Sequence, residues 1–180
     1  NNEVIHGIPN NHRKIKDGDI VSIDVGAYYG GFHGDNAFTF AVGNISEKAK
    51  KLLEVTKASL DKAISVVKPG ATLGDVGYAV ESYVREFGFG VVKNYCGHGV
   101  GRNLHEDPEV PNYGKPGMGI TLREGMTLAI EPMINYKGDE ISVMPNKWTV
   151  VTKSGSLSAH FENTVVVTSR GCEILTVADI

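Results

Sequence analysis

Four acids occupy matched places in two copies of one pattern. Lys16-Asp17-Gly18-Asp19-Ile20-Val21-Ser22-Ile23-Asp24 recurs as Arg123-Glu124-Gly125-Met126-Thr127-Leu128-Ala129-Ile130-Glu131. Further on, His33-Gly34-Asp35-Asn36-Ala37-Phe38-Thr39-Phe40 recurs as His160-Phe161-Glu162-Asn163-Thr164-Val165-Val166-Val167. The acids kept in register are Asp24 with Glu131 and Asp35 with Glu162. Carboxylates that converge on one concave face repel each other and lose water, which raises their pKa values. Divalent cations relieve that penalty, and oxygen-rich sites are what they prefer. Any one of these acids alone reads as a solvated strand-end group. The pairing points to metal ligation at the seam between two pseudo-equivalent halves.

A histidine joins the acids as a candidate. His98 lies in Tyr95-Cys96-Gly97-His98-Gly99-Val100-Gly101, where flanking glycines allow close backbone approach and give the imidazole little local cover. From this segment alone, a surface histidine on a Gly-rich loop is an equal reading. An imidazole among carboxylates moves preference from magnesium or calcium toward manganese, iron, cobalt or zinc. No helical pattern follows the glycines, so a phosphate-binding loop fails its context.

His6 and His105 each stand three residues before a proline, Pro9 and Pro108, upstream of the two copies. Their matched placement suggests that they line the cleft as acid–base or hydrogen-bonding groups. His105-Glu106 has no second histidine four residues on, so the zinc-protease helix motif is absent. His33 and His160 hold equivalent repeat positions and face the same way as residues 35 and 162, within reach of the ligands. His12 belongs to a turn. Cys96 reads better as a small buried hydrophobe than as a cleft thiol. Leu104 and Trp148 are apolar residues beside the site, of the kind that could wall a specificity pocket.

The elements that must position these groups follow from periodicity. Residues 20–25 and 35–42 alternate as strands, with Gly30-Gly31 and Gly34 between them. From Ser46 the spacing becomes helical through Leu52, Leu53, Thr56, Leu60, Ala63, Ile64 and Val67, until Lys68-Pro69-Gly70 stops it. Thr72 with Asp75 predicts a capping box for a second helix that turns Val76, Val80, Tyr83, Val84 and Phe87 inward and ends at Gly88. Strands are expected near 89–94, 126–131, 148–152, 161–168 and 172–176, with a Gly/Pro-rich loop at about 97–125. The order indicates an α+β domain with mainly antiparallel pairing. Small residues and acids share one strand face; Val21, Ile23, Phe38, Phe40, Leu128, Ile130, Val165 and Val167 share the other, expected to meet helices.

The 180 residues, 41% hydrophobic and 22% charged, suit one soluble domain with a sizeable core. A net charge of −3 gives no reason to expect a nucleic-acid or anionic-membrane surface. No apolar run approaches the roughly 18 residues of a spanning helix. The two cysteines are too few for a disulfide framework, so a reducing cytoplasm is the simpler setting.

Taken together, Glu3-Val4-Ile5-His6-Gly7-Ile8-Pro9, Asp19-Ile20-Val21-Ser22-Ile23-Asp24, Gly31-Phe32-His33-Gly34-Asp35, Tyr95-Cys96-Gly97-His98-Gly99, Glu131-Pro132-Met133 and Phe161-Glu162-Asn163-Thr164 resemble the type I methionine aminopeptidases of the pita-bread fold (peptidase family M24). The resemblance covers essentially the whole chain with the ligands in order. It implies a duplicated antiparallel sheet with helices on its outer face, half one about 1–45 and half two about 46–180. It also implies two divalent metal ions (Co, Mn, Fe or Zn). Asp24 would chelate one, His98 and Glu131 the other, and Asp35 with Glu162 would bridge them.

The activity implied is removal of the N-terminal, initiator methionine from nascent proteins and peptides by metal-activated water. Glu131 would shuttle a proton to the leaving amine, His105 would contact the scissile amide, and His6 would lie near the substrate backbone beyond it. Leu104 and Trp148 would help wall the methionine pocket, although position 104 is commonly Phe in relatives. The partners implied are nascent N-termini of the form Met–small residue, with the ribosome as a candidate neighbour, no nucleic acid and no membrane. A cytoplasmic monomer is expected.

The chain departs from the family at its start, where relatives carry a segment with two helices over the first half's sheet. It starts at Asn1, within a strand-like pattern, and so reads as a fragment or a trimmed chain. The face of Val21, Ile23, Val25, Phe38, Phe40 and Val42 is therefore expected to lie open unless a preceding segment or a partner covers it. Two rivals share the fold. An Xaa-Pro peptidase usually carries a large extra N-terminal domain and fits the Tyr95–Gly99 run less well. A non-catalytic binding module typically loses metal ligands, whereas this chain keeps all five.

Overall fold

The structure, a computed structural model, describes residues 1–177. Along the chain run β1 (Glu3–Ile5), β2 (Ile20–Tyr29), β3 (Phe32–Ala41), α1 (Glu47–Ser65), α2 (Leu73–Arg85), β4 (Gly90–Val91), β5 (Gly97–Gly99) and β6 (Glu106–Val110). Then follow β7 (Thr127–Ile130), β8 (Met133–Asn135), β9 (Ile141–Val143), β10 (Val150–Thr152), β11 (Ser158–His160), β12 (Asn163–Thr168) and β13 (Gly171–Ile174).

Both helices begin where the sequence predicts. Ser46 caps α1 by accepting the Ala49 N–H, and Thr72 and Asp75 form a reciprocal capping box on α2. Their apolar stripes, Leu52, Val55, Leu60 and Ala63 on α1 and Val76, Val80 and Val84 on α2, are buried. They pack with Leu128, Ile130, Val165 and Val167 into the main core. Burial of a side chain of this size contributes about 1.5–3 kcal/mol, so this interface is what fixes β7 and β12 in place.

That sheet runs β13-β12-β7-β5-β6, antiparallel throughout. The hairpin β2–β3 forms a sheet of its own. It is stitched to the larger part by hydrogen bonds from Glu162 N–H to the Ala37 carbonyl and from Thr39 Oγ1 to the His160 carbonyl, each 2.8 Å.

Two expectations are corrected. The stretch 97–125 is not all loop, because β5 and β6 lie inside it. Gly97 and Gly99 have so little bulk that neighbouring strands close onto them: a Cβ at Gly97 would meet the Ala129 carbonyl oxygen at 2.2 Å. The bulky faces of the two halves also differ in fate. Those of β7 and β12 meet the helices, whereas Ile23 and Val25 on β2 remain 50% and 56% exposed. This corrects the expectation that both faces meet helices and agrees with the expectation of an open face in the first half. Phe38 is the exception in the hairpin, packing edge-on against Phe161 with ring centres 4.7 Å apart.

Candidate metal centre

Each acid reaches the seam through the ladder that carries it. In the first half Asp24 is opposite Ala37 and Asp35 opposite Gly26, so the two acids are diagonal neighbours on one face. In the second half the pairing of Asn163 with Ile130 is the last of the β7–β12 ladder, and Glu131 and Glu162 follow directly beyond it. The pseudo-symmetric copies thus present their acids in slightly different registers. The seam itself is held by Thr164, whose hydroxyl accepts the Asp35 N–H and donates to the Asp35 carbonyl.

His98 is delivered by β5, which lies between β6 and β7 with His98 opposite Ala129 and Glu109. The imidazole is 9% exposed, so the glycines bring strands over it rather than leaving it bare. The ladder to β6 is irregular between His98 and Gly99, a local distortion of the kind that re-aims a side chain. Nδ1 lies 2.9 Å from the Gly99 carbonyl oxygen. A carbonyl can only accept, so Nδ1 carries the proton and Nε2 offers its lone pair. That Nε2 lies 3.6 Å from Asp35 Oδ2 and 3.5 Å from Glu131 Oε1.

The five predicted ligands therefore converge. Asp24, Asp35 and Glu162 place one oxygen each within 4.8 Å of one another, as do the ligand atoms of His98, Glu131 and Glu162. A further grouping joins Asp35 and His98 to His105, whose ring centre is 4.2 Å from that of His98. Asp35, His98 and Glu162 each belong to two of the groupings, which places these three at the middle of the cluster.

Electrostatics explain why this cluster calls for cations. Glu162 is 3% exposed, and burial, followed by the charges of Glu131, Asp35 and Asp24, pushes its carboxyl up to about 10. Its Oε1 is buried with no hydrogen-bond partner. Asp24 is exposed by area, yet protein packed round its carboxyl strips part of its hydration. That loss first, then Asp35 and Glu131, raises its pKa, while His160 pulls the other way. An orphaned carboxylate oxygen facing further acids and a free imidazole nitrogen fits a divalent ion of the mixed oxygen–nitrogen class.

The substrate-side residues fall into two groups. His105 and Leu104 belong to the centre: Leu104 Cδ1 lies 3.1 Å from where a Cβ on Gly26 would be, against β2 beside Asp24. His6 and Trp148 stack on each other with ring centres 4.8 Å apart, and Tyr95 meets His6 edge-on at 6.0 Å. Among the described residues His6 and Lys147 are the non-glycine positions with left-handed φ, 58° and 60°. Each costs backbone energy of order 1–3 kcal/mol. The two strained positions hold the two sides of this stack, and the Thr149 hydroxyl fixes the His6 carbonyl at 3.0 Å. A cavity of ≈ 630 Å³ lined by His6, Ile8, Ile23, Asp24 and His160, among others, opens beside the acids.

The remaining singled-out residues separate clearly. Cys96 is half-buried, and burial raises its thiol pKa, which keeps it protonated and unreactive near neutrality. His33 lies against the Tyr28 ring at 4.7 Å, whereas His160 reaches Glu131. The repeat placed them as equivalents, but the hairpin register seats His33 opposite Tyr28 near its turn, away from the seam. Thr39, Thr164 and Asn112, which hold the His160 backbone, the Asp35 backbone and the Glu131 carbonyl, were not singled out by the sequence. Their signal, a small polar residue within an apolar strand or loop, is too common to read alone.

A β2–β3 hairpin and a β7–β12 strand pair that pool acids and a histidine at their seam, the second pair backed by helices, define a metal-dependent hydrolase architecture. The pattern of metallopeptidase family M24 matches residues 1–169, and the chain belongs to that family. It is 52% identical over 179 residues to the methionine aminopeptidase of Clostridium acetobutylicum, covering 99% of this chain and 72% of that one. It is 51% identical to methionine aminopeptidase 1 of Bacillus subtilis, covering 98% and 71%. The crystal structure of methionine aminopeptidase from Thermotoga maritima superposes with a TM-score of 0.96 at 52% identity, over 99% of this chain and 72% of that chain. A prolidase from Pyrococcus furiosus superposes with a TM-score of 0.72 at 28% identity, over 93% and 44%. The fold is the pita-bread fold these proteins share.

Proposed function

We propose that this chain is a methionyl aminopeptidase that removes the N-terminal methionine from nascent proteins and peptides. The observation that carries the reading is the convergence of Asp24, Asp35, His98, Glu131 and Glu162 at the seam, in a chain about half identical to methionine aminopeptidases. Two divalent ions of the Co, Mn, Fe or Zn class would be held, one by Asp24, one by His98 and Glu131, with Asp35 and Glu162 shared. Bound there, they would supply a Lewis acid for the scissile carbonyl and a water acidified toward neutrality.

The chain's own groups do the rest. Glu131 takes the proton of the attacking water and delivers it to the departing amine nitrogen. His105 beside His98 donates a hydrogen bond to the oxygen that gains charge at the tetrahedral stage. His6, locked by Trp148, contacts the peptide beyond the scissile bond. Leu104 and Trp148 provide apolar walls for the methionine side chain. The cavity beside Asp24 gives the peptide N-terminus a route to the acids.

We place the enzyme in the cytoplasm as a monomer acting on Met–small N-termini, with the ribosome as a candidate neighbour. Among the described residues no helix is long and apolar enough to cross a membrane. The halves 1–45 and 46–180 are read as one catalytic domain. Metal analysis together with hydrolysis of Met-Ala and Ala-Pro peptides tests the reading. Metal-dependent release of methionine is the expected result. Cleavage of Ala-Pro alone would reassign the chain to the prolidase branch, and metal-free inertness toward both would make it a binding module.

A further inference from the structure

His160 is a fully buried polar side chain, 2% exposed, and its Nε2 has no hydrogen-bond partner. A buried polar atom left in that state costs about 1–3 kcal/mol, so its retention needs a reason. Among the described residues the carboxylate oxygen it approaches is Glu131 Oε2, at 3.5 Å. The other oxygen of the same carboxylate, Oε1, lies 3.5 Å from His98 Nε2. Glu131 is therefore straddled by two imidazoles, one in the ligand groupings and one outside all of them.

The backbone of residue 160 cannot drift. Its N–H donates to Thr39 Oγ1 at 2.9 Å and its carbonyl accepts from the same hydroxyl at 2.8 Å. Thr39 Oγ1 is in turn 2.9 Å from Ser22 Oγ, and His160 pairs with the fully buried Met133 in the β11–β8 ladder. Met133 stands two residues after Glu131, so the ladder that fixes the imidazole also fixes the base of the glutamate.

We propose that His160 is a positioning residue for Glu131: its Nε2, 3.5 Å from Oε2 and otherwise unpartnered, donates to that oxygen when the site is loaded and leaves Oε1, on the His98 side, available to the ion that Glu131 and His98 would hold. The inference rests on the functional reading above and deepens it. A glutamate held by one oxygen keeps that geometry while the other end binds, and its second oxygen stays aimed at the proton-transfer route. Without the imidazole, the Glu131 carboxylate would be free to rotate, losing the arrangement that metal holding and proton transfer require.

The test compares full-length wild type with His160→Leu, His160→Asn and His160→Gln. Calorimetric titration with Mn or Co, the absorption spectrum of the cobalt form, and kcat and KM on a Met-Ala peptide are the readouts. Leu removes the donor, Asn is too short to reach Oε2, and Gln restores an N–H at the right distance. Leu and Asn should lower affinity for the His98-side ion by about 10–100-fold and lower kcat with little change in KM. They should also alter the cobalt spectrum, and Gln should recover most of each loss. Wild-type affinity and spectrum in either Leu or Asn overturns the proposal. So does a Gln variant as impaired as both, because the loss would then be one of packing. Should Leu not fold, Asn against Gln decides. A wild type that binds ions but releases no methionine overturns the aminopeptidase reading, while the affinity ratios still judge His160. A wild type that binds no divalent ion overturns both.

Discussion

Asp35 and Thr164 clasp each other across the seam: the Asp35 N–H donates to Thr164 Oγ1 at 2.9 Å, and the same hydroxyl donates to the Asp35 carbonyl at 2.8 Å. One buried hydroxyl thus satisfies both backbone groups of Asp35 and joins β3 to β12. Thr164→Val keeps the shape and removes both bonds. It should lower stability by about 1–3 kcal/mol in denaturant unfolding, and Thr164→Ser should restore most of it. A valine variant with wild-type stability and metal affinity would show that the clasp does not hold the seam.

Glu162 gives the metal-free protein a pH dependence of defined sign. Its carboxyl is raised from 4.5 to about 10 by burial first and neighbouring acids next. The folded chain therefore keeps a proton that the unfolded chain has already lost above its ordinary pKa. The contribution is fully present below about pH 4.5 and is lost as pH rises toward about 10. Relative to Glu162→Gln, the metal-free wild type should lose Tm steadily between about pH 6 and pH 9. A parallel pair of Tm profiles would contradict this. Near neutral pH, loading the wild type with metal should release about one proton more than loading the variant, as calorimetry in buffers of different ionisation enthalpy would count.

Replacing Glu131 with Gln should leave the fold intact and cut turnover of a Met-Gly peptide by about 10²–10⁴-fold, because the amide cannot carry the proton. His105→Ala should lower kcat while the metal content of the purified protein stays unchanged. Near-full turnover in either variant would remove that residue from the proposed chemistry.

Gly97→Ala is expected to be among the most damaging single changes away from the acids. The new methyl would sit 2.2 Å from the Ala129 carbonyl oxygen, which is backbone and cannot rotate aside. Prying β5 from β7 should cost about 3 kcal/mol or more and displace His98. Chemical unfolding and metal titration of the same variant would report the two effects separately. Gly26→Ala is milder, since its methyl would meet the flexible end of Leu104 at 3.1 Å. It should shift KM for methionyl substrates a few-fold and leave kcat nearly alone.

The convergence of the four acids was legible because each has a counterpart in the other copy, and two copies of a strand-borne acid carry more weight than any single one; His98 has no such counterpart. Both helices were legible from local signals, α1 from the apolar spacing that begins after Ser46 and α2 from the Thr72–Asp75 box. What lies between Gly97 and Val110 was not, because β5 and β6 are short and Gly-containing. They owe their strand character to the long-range neighbour β7 rather than to local preference. The same glycines were read as exposing His98, when their lack of bulk is what lets the strands bury it. The unequal roles of His33 and His160 were hidden for a related reason: a repeat fixes sequence position, while hairpin register fixes where the ring ends up.

The hairpin β2–β3 supplies Asp24 and Asp35 with Ile23 and Val25 open to water, while Glu131 and Glu162 grow from strands pinned under two helices. A clamp with one stiff jaw and one compliant jaw tightens unevenly. Its amide protons should exchange with deuterium faster along residues 20–29 than along 127–130, and a captured ion should slow exchange mainly in the former. The enzyme's rigidity would then be something its ions confer on the weaker jaw, leaving the backed one much as it was.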